Sequence, residues 1–174
     1  MSGAFKHSIA VLVLLPVLAV SQVNGADRPK VKPRPSSEAQ LAKGEINFDD
    51  LAFDLEKDTA FDPKLWTERL RRIDGKKVRL RGYIHPSVYQ MEGIKQFVLV
   101  RDNQECCFGP GAALFDCVMV EMKGDASAKF TTRPVTVEGK FFLDDEKYKY
   151  PPGMAPGTAT HMAVFRIEGT AVTN

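Results

Sequence analysis

The chain has 174 residues, and its 24 Lys and Arg stand against 22 Asp and Glu, so a formal charge of +2 singles out no electrostatic partner class. Hydrophobic residues make up 44% and charged residues 26%, the proportions of an ordinary globular domain, which excludes a wholly disordered, collagen-like or multi-span membrane chain.

The first element is a leader. Lys6 and His7 precede an apolar run from Ile9 to Val20, and the small, polar stretch Ser21 to Ala26 follows, the three-part layout of a secretory signal peptide. At 1.5 Å per residue this run spans about 18 Å as a helix, against about 30 Å of bilayer hydrocarbon, and Pro16 interrupts it. Cleavage is therefore expected after Gly25 or Ala26, giving a periplasmic or secreted product without a transmembrane anchor. Residues 26–44 carry Pro29, Pro33 and Pro35 among Lys30, Lys32, Arg34, Ser36 and Ser37, and they read as a flexible linker. Residues 45–174 then form one domain.

From Ile46 to Phe61, apolar residues alternate with acidic ones in a way that fits a half-buried strand or a packed turn equally well. Asp62 as N-cap, Pro63 at the first helical position, and Leu65, Trp66, Leu70 and Ile73 at helical spacing predict a helix over 63–73, ended by Asp74-Gly75. Trp66 lies on its apolar stripe and reads as core. Period two begins after Gly75. Val78, Leu80, Gly82 and Ile84 share one face while Lys77, Arg79, Arg81 and Tyr83 share the other. Further strands are expected at 96–101, 115–122, 134–143 and 162–172. The expected core is Val78, Leu80, Ile84, Phe97, Val118, Val120, Val135, Val137, Phe165 and Ile167.

Five short strands, an N-terminal helix and long loops are too few for an immunoglobulin sandwich, and they lack the crossover helices of a parallel sheet. They fit a mainly β fold, a small five-stranded OB-like barrel, in which the loops between strands one and two and between four and five border a binding face. Here those two loops are long. Only 123–133 is left for the helix usual between strands three and four, so an open SH3-like barrel is the alternative.

Three cysteines, Cys106, Cys107 and Cys117, lie in and beside one loop. Three thiols in an oxidising compartment cannot all pair internally. Cys117 bridging to Cys106 or Cys107 would close about ten residues and contribute about 3 kcal/mol. Alternatively, the three thiolates with one imidazole, from His85 or His161, make a tetrahedral set for zinc or copper(I). A vicinal Cys106–Cys107 disulfide or a thiol-exchange site is the third reading.

The segments Gly82-Tyr83-Ile84-His85-Pro86, Gln96-Phe97-Val98-Leu99-Val100 and Cys106-Cys107-Phe108-Gly109 together resemble an exported bacterial family, domain of unknown function 3299, over about Ile46 to Val172. The resemblance implies an exported small β-barrel associated with transport proteins of the cell envelope, and it implies no reaction. The residues agree. The motifs of serine hydrolases, zinc proteases, phosphate-cradling loops and Cys-x-x-Cys oxidoreductases do not occur in the sequence, and Asp144, Asp145 and Glu146 read as a solvated turn. The expected function is that of an envelope accessory or binding protein whose Cys loop takes a metal ion or a partner. Thiol–disulfide exchange through Cys106 and Cys107 is the enzymatic alternative. Oligonucleotide or oligosaccharide binding comes third, with Arg79, Arg81 and Tyr83 as a basic, aromatic face; export and the near-neutral charge weigh against nucleic acid.

Overall fold

The structure is a computed structural model, and it describes residues 32–56, 58–102 and 113–174. The expected leader and the residues Cys106 and Cys107 lie outside the described residues. In chain order the elements are α1 (Glu38–Ala42), β1 (Glu45–Ile46), α2 (Glu68–Ile73), β2 (Lys77–Ile84), β3 (Gln96–Val100), β4 (Cys117–Met122), β5 (Val135–Leu143) and β6 (Phe165–Thr173).

The strands run in the order β1-β2-β3-β4-β6-β5, and β5 pairs back onto β2, so β2 to β6 close a five-stranded barrel. The β4–β6 pair is parallel, Val120 opposite Ile167, while the other barrel pairs are antiparallel. That single parallel pair is the OB arrangement. A barrel of hairpins alone, the SH3-like alternative, has no such crossover, so the choice left open by strand count is settled by pairing. Closure leaves few open edges.

Alternation along each strand decides what fills the interior. All ten residues expected in the core are buried, and Leu80, Val118, Val120, Val137, Phe165 and Ile167 are fully inaccessible. The residues between them face outward, as the two-residue period requires. At Glu138/Gly139 the β5–β6 register shifts, and a Cβ on Gly139 would sit 2.2 Å from the Glu168 carbonyl oxygen. Only glycine lets the two backbones meet this closely.

The helix expected over 63–73 is in fact two pieces. Pro63–Leu65 is a 3-10 turn, Trp66 is extended, and α2 begins at Glu68 with the Thr67 hydroxyl accepting from the Leu70 N–H at 3.3 Å. Thr67 supplies a second N-cap, and a cap requires non-helical backbone just where the stripe predicted continuity. Trp66 packs against Phe61 with ring centroids 5.5 Å apart. Between Ile46 and Phe61 the acid–apolar alternation makes no long strand among the described residues: β1 has two residues, a 3-10 turn follows at Phe48–Asp50, and Phe48, Leu51 and Phe53 join the buried core. The connection 123–133 holds no helix. Ala128 instead bridges to Ile94, and the Phe130 N–H donates to the Met91 carbonyl.

Part of the stretch expected as linker is ordered by a buried carboxylate. Asp50, with 1% of its surface exposed, accepts from the Ser36 N–H at 2.9 Å, the Ser36 hydroxyl at 2.7 Å, the Asn47 N–H at 2.8 Å and Arg69 Nε at 2.7 Å. The Arg69 guanidinium also donates to the Ser36 carbonyl. One anion thereby ties the chain entering α1, the turn after β1 and α2 to each other. Ser37 then starts α1 with a capping box to Gln40.

Candidate functional site

Register places the site residues. Tyr83, Val100 and Cys117 form one row across the outside of β2, β3 and β4, and His85, Val98 and Met119 form the next on that face. The connection 144–164 between β5 and β6 folds over part of this face. Tyr148 and Ala163 pack on Val98, Val100 and Cys117 as a second, smaller core outside the barrel.

A polar cluster fastens the connection down. The Glu121 carboxylate accepts from the Tyr148 hydroxyl and from Lys147, and Arg166 Nε donates to Asp144 at 2.8 Å while its guanidinium lies 4.4 Å above the Phe142 ring. Burial alone would raise the Glu121 carboxyl, but the hydrogen bonds from Lys147 and Tyr148 and the charge of Arg166 hold it below the usual carboxylate range. Burial, and then the bond to Glu121, push the Tyr148 phenol up.

Cys117 sits beneath this cover. Its thiol is free rather than in the expected cross-loop disulfide, and its nearest polar partners are the carbonyls of Leu114 at 3.7 Å and Met162 at 3.8 Å. Burial, with Asp116 beside it, pushes the thiol up to about 12. A thiol held neutral in an apolar pocket is a poor metal ligand and a poor nucleophile.

The two histidines are also engaged. His161 Nε2 lies 2.7 Å from the Asp145 carbonyl, which can only accept, so Nε2 carries a proton, and Nδ1 lies 2.7 Å from the Thr160 hydroxyl. With the Phe61 ring edge-on at 5.4 Å, His161 is a brace within the 144–164 connection. His85 ends β2. Its N–H donates to the Val98 carbonyl at 2.9 Å, its Nδ1 accepts from the Ser87 N–H at 3.2 Å, and burial lowers its pKa, so the ring is neutral near pH 7. Strand spacing puts its Cα about 12 Å from that of Cys117, too far for one ion to join them without rearrangement. Among the described residues no three His, Cys, Asp or Glu side chains converge as a metal site.

The ends of the Cys loop are nonetheless clamped together. The Arg101 N–H donates to the Asp116 carbonyl at 3.1 Å, Arg101 Nε lies 2.5 Å from Asp116 Oδ1, and its NH1 donates to Asp49 at 2.7 Å. The Nε contact is close but poorly aligned, an ion pair rather than an in-line hydrogen bond. Burial raises the Asp116 carboxyl by more than Arg101 lowers it.

Beside His85 the surface opens. β3 pairs with β4 over its whole length, Gln96 to Val100, but its ladder with β2 covers only Leu99 and Val100. Backbone groups alternate sides along a strand, and the Val98 carbonyl takes the His85 N–H, so the Gln96 amide and carbonyl and the Val98 amide face the side that β2 has left. The β2–β3 connection stands off this edge and leaves a groove of about 430 Å³, lined by Val88 and Tyr89 of the connection, Gln96 and Val98 of β3 and Met119 of β4. Tyr89 is fully exposed and Met91 is 63% exposed. Sequence reasoning passed over both because they sit in a turn with no period; the available signal was the apolar content of the turn itself.

No curated protein matches the chain. Among solved structures, a DUF3299 family protein of Pseudomonas aeruginosa PAO1 is similar at 24% identity and a TM-score of 0.41, over 58% of this chain and 62% of that one. The model of a family described as protein of unknown function, DUF3299, matches residues 29–168, and the chain belongs to that family.

Proposed function

We propose that the chain is an exported accessory protein of the cell envelope that binds a partner protein, and that the partner's extended segment adds as a strand to the open edge of β3. The observation that carries this reading is the half-paired strand. Gln96 and Val98 present main-chain donors and acceptors into a groove of about 430 Å³ with apolar walls, the chemistry by which a sheet edge takes up a peptide. Tyr89 in its lining, with exposed Met91 two residues further along the same turn, supplies the large apolar contacts that interfaces favour. The loops after the first and fourth barrel strands border the site, as the fold anticipates, but the fourth-strand loop covers the neighbouring outer face, where its Tyr148 and Lys147 bond to Glu121 of β4. A half-covered face whose cations are already paired with carboxylates disfavours oligonucleotides. Of the five metal or redox candidates, Cys117, His85 and His161 are taken up by burial or hydrogen bonds, so a zinc, copper or thiol-exchange role rests on Cys106 and Cys107.

A photo-crosslinking side chain placed at Tyr89 in cells is expected to give a discrete crosslinked species that disappears when Met119→Arg blocks the groove. The same probe at Met154, 70% exposed on the 144–164 connection, is expected to give none. Equal products from both positions, or a Tyr89 product indifferent to Met119→Arg, would contradict groove binding.

A further inference from the structure

The near-neutral total hides a strong segregation of charge. Between Lys64 and Arg81 there are eight cations and two acids, a local net of +6. Arg69 is spent on buried Asp50 and Arg72 on Glu38, while Lys77 and Arg79 share the single carboxylate of Glu138 at 4.0 and 3.2 Å. Lys140 stands directly opposite Lys77 across the β2–β5 pair, adding a further positive charge to that neighbourhood. Lys43 at the end of α1 and Lys76 before β2 complete the ring, both exposed.

Four of these cations, Lys43, Lys76, Lys77 and Arg79, line a shallow groove of about 290 Å³ together with Glu138 and the apolar side chain of Leu41. A lysine carries an apolar stem beneath its ammonium group, so a lysine-rich surface matches one that is anionic outside and hydrocarbon within. The cations are spread over α1, α2, β2 and β5 rather than along one channel, which suits many phosphates in a plane better than one polynucleotide strand.

We infer that the face built by the end of α1, α2 and the start of β2 docks on the anionic phospholipid surface of a membrane, and so holds the β3 groove near membrane-bound partners. The two sites use different residues, so either can fail alone. Each lysine near an anionic bilayer strengthens binding about fivefold.

The test is cosedimentation of the chain without the expected leader, residues 26–174, with vesicles of phosphatidylcholine, with or without about one third phosphatidylglycerol. Binding is expected only with phosphatidylglycerol, and it is expected to be lost between about 50 mM and about 500 mM salt. The triple charge reversal Lys43→Glu, Lys76→Glu and Lys77→Glu is expected to weaken it at least about a hundredfold. The milder Lys76→Gln and Lys77→Gln pair, which guards against misfolding, is expected to weaken it about tenfold or more. Lys129→Glu with Lys149→Glu, the same kind of change elsewhere, is expected to leave it unaltered. Equal binding to both vesicles, no binding at low salt, insensitivity to the neutral pair, or tighter binding to single-stranded DNA or polyglutamate than to vesicles would each overturn the inference.

Discussion

Val120→Asp is expected to abolish the folded state near neutral pH. Val120 has no exposed surface, and it lies at mid-strand in β4 between Phe97 of β3 and Ile167 of β6, where the parallel pair closes the barrel. A carboxylate there would have neither water nor a cation, and an unpaired buried charge costs several kcal/mol against a typical total stability of about 5 to 15. Far-UV circular dichroism with urea titration checks it. A transition unchanged from wild type would mean that Val120 faces outward and that the inner and outer rows of β4 have been exchanged.

Asp50→Asn is expected to lower stability by about 3 to 5 kcal/mol, the cost of breaking a buried ion pair from one side. The amide keeps the shape of the carboxylate but turns an NH₂ group toward a site whose neighbours are all donors: Ser36 N–H and hydroxyl, Asn47 N–H and Arg69. The Arg69 charge, with its side chain only 26% exposed, loses its counter-ion at the same time. Because Asp50 holds the entry to α1 as well as α2, proteolysis near Ser36 is expected to accelerate along with the fall in urea midpoint. Arg69→Met, which removes the charge but keeps much of the packing, should relieve part of the loss in the double variant. A double variant no more stable than Asp50→Asn would show that Arg69 is not the group left stranded.

These two residues also mark how far the fold was legible. Val120 was readable because a strand with a wet side and a dry side has a strict two-residue period, which β2 and β5 follow. β3 is buried on both faces, because Val98 and Val100 are covered by the 144–164 connection, and the parallel pair that decides for the OB class is visible only in the pairing. Asp50 was not readable. Its partners lie at Ser36, Asn47 and Arg69, and no local pattern distinguishes a buried carboxylate from the exposed acids beside it. Thr67 shows a third situation, a cap signal present in the sequence but masked by an apolar stripe that continues across the break. The site was the least legible part. Cys117, His85 and His161 were chosen for side-chain chemistry, and the structure engages that chemistry in packing and hydrogen bonds. The open edge of β3 is a property of where β2 diverges, which depends on pairing length and leaves no mark on residue types.

Residue-resolved hydrogen exchange along β3 tests that edge most directly. The amides of Phe97 and Leu99 face β4 and are expected to exchange only with global unfolding, whereas those of Gln96 and Val98 face the groove and are expected to exchange at least about a hundredfold faster. Uniform protection from Gln96 to Leu99 would mean that the edge is already paired, and strand addition at β3 would then have no site.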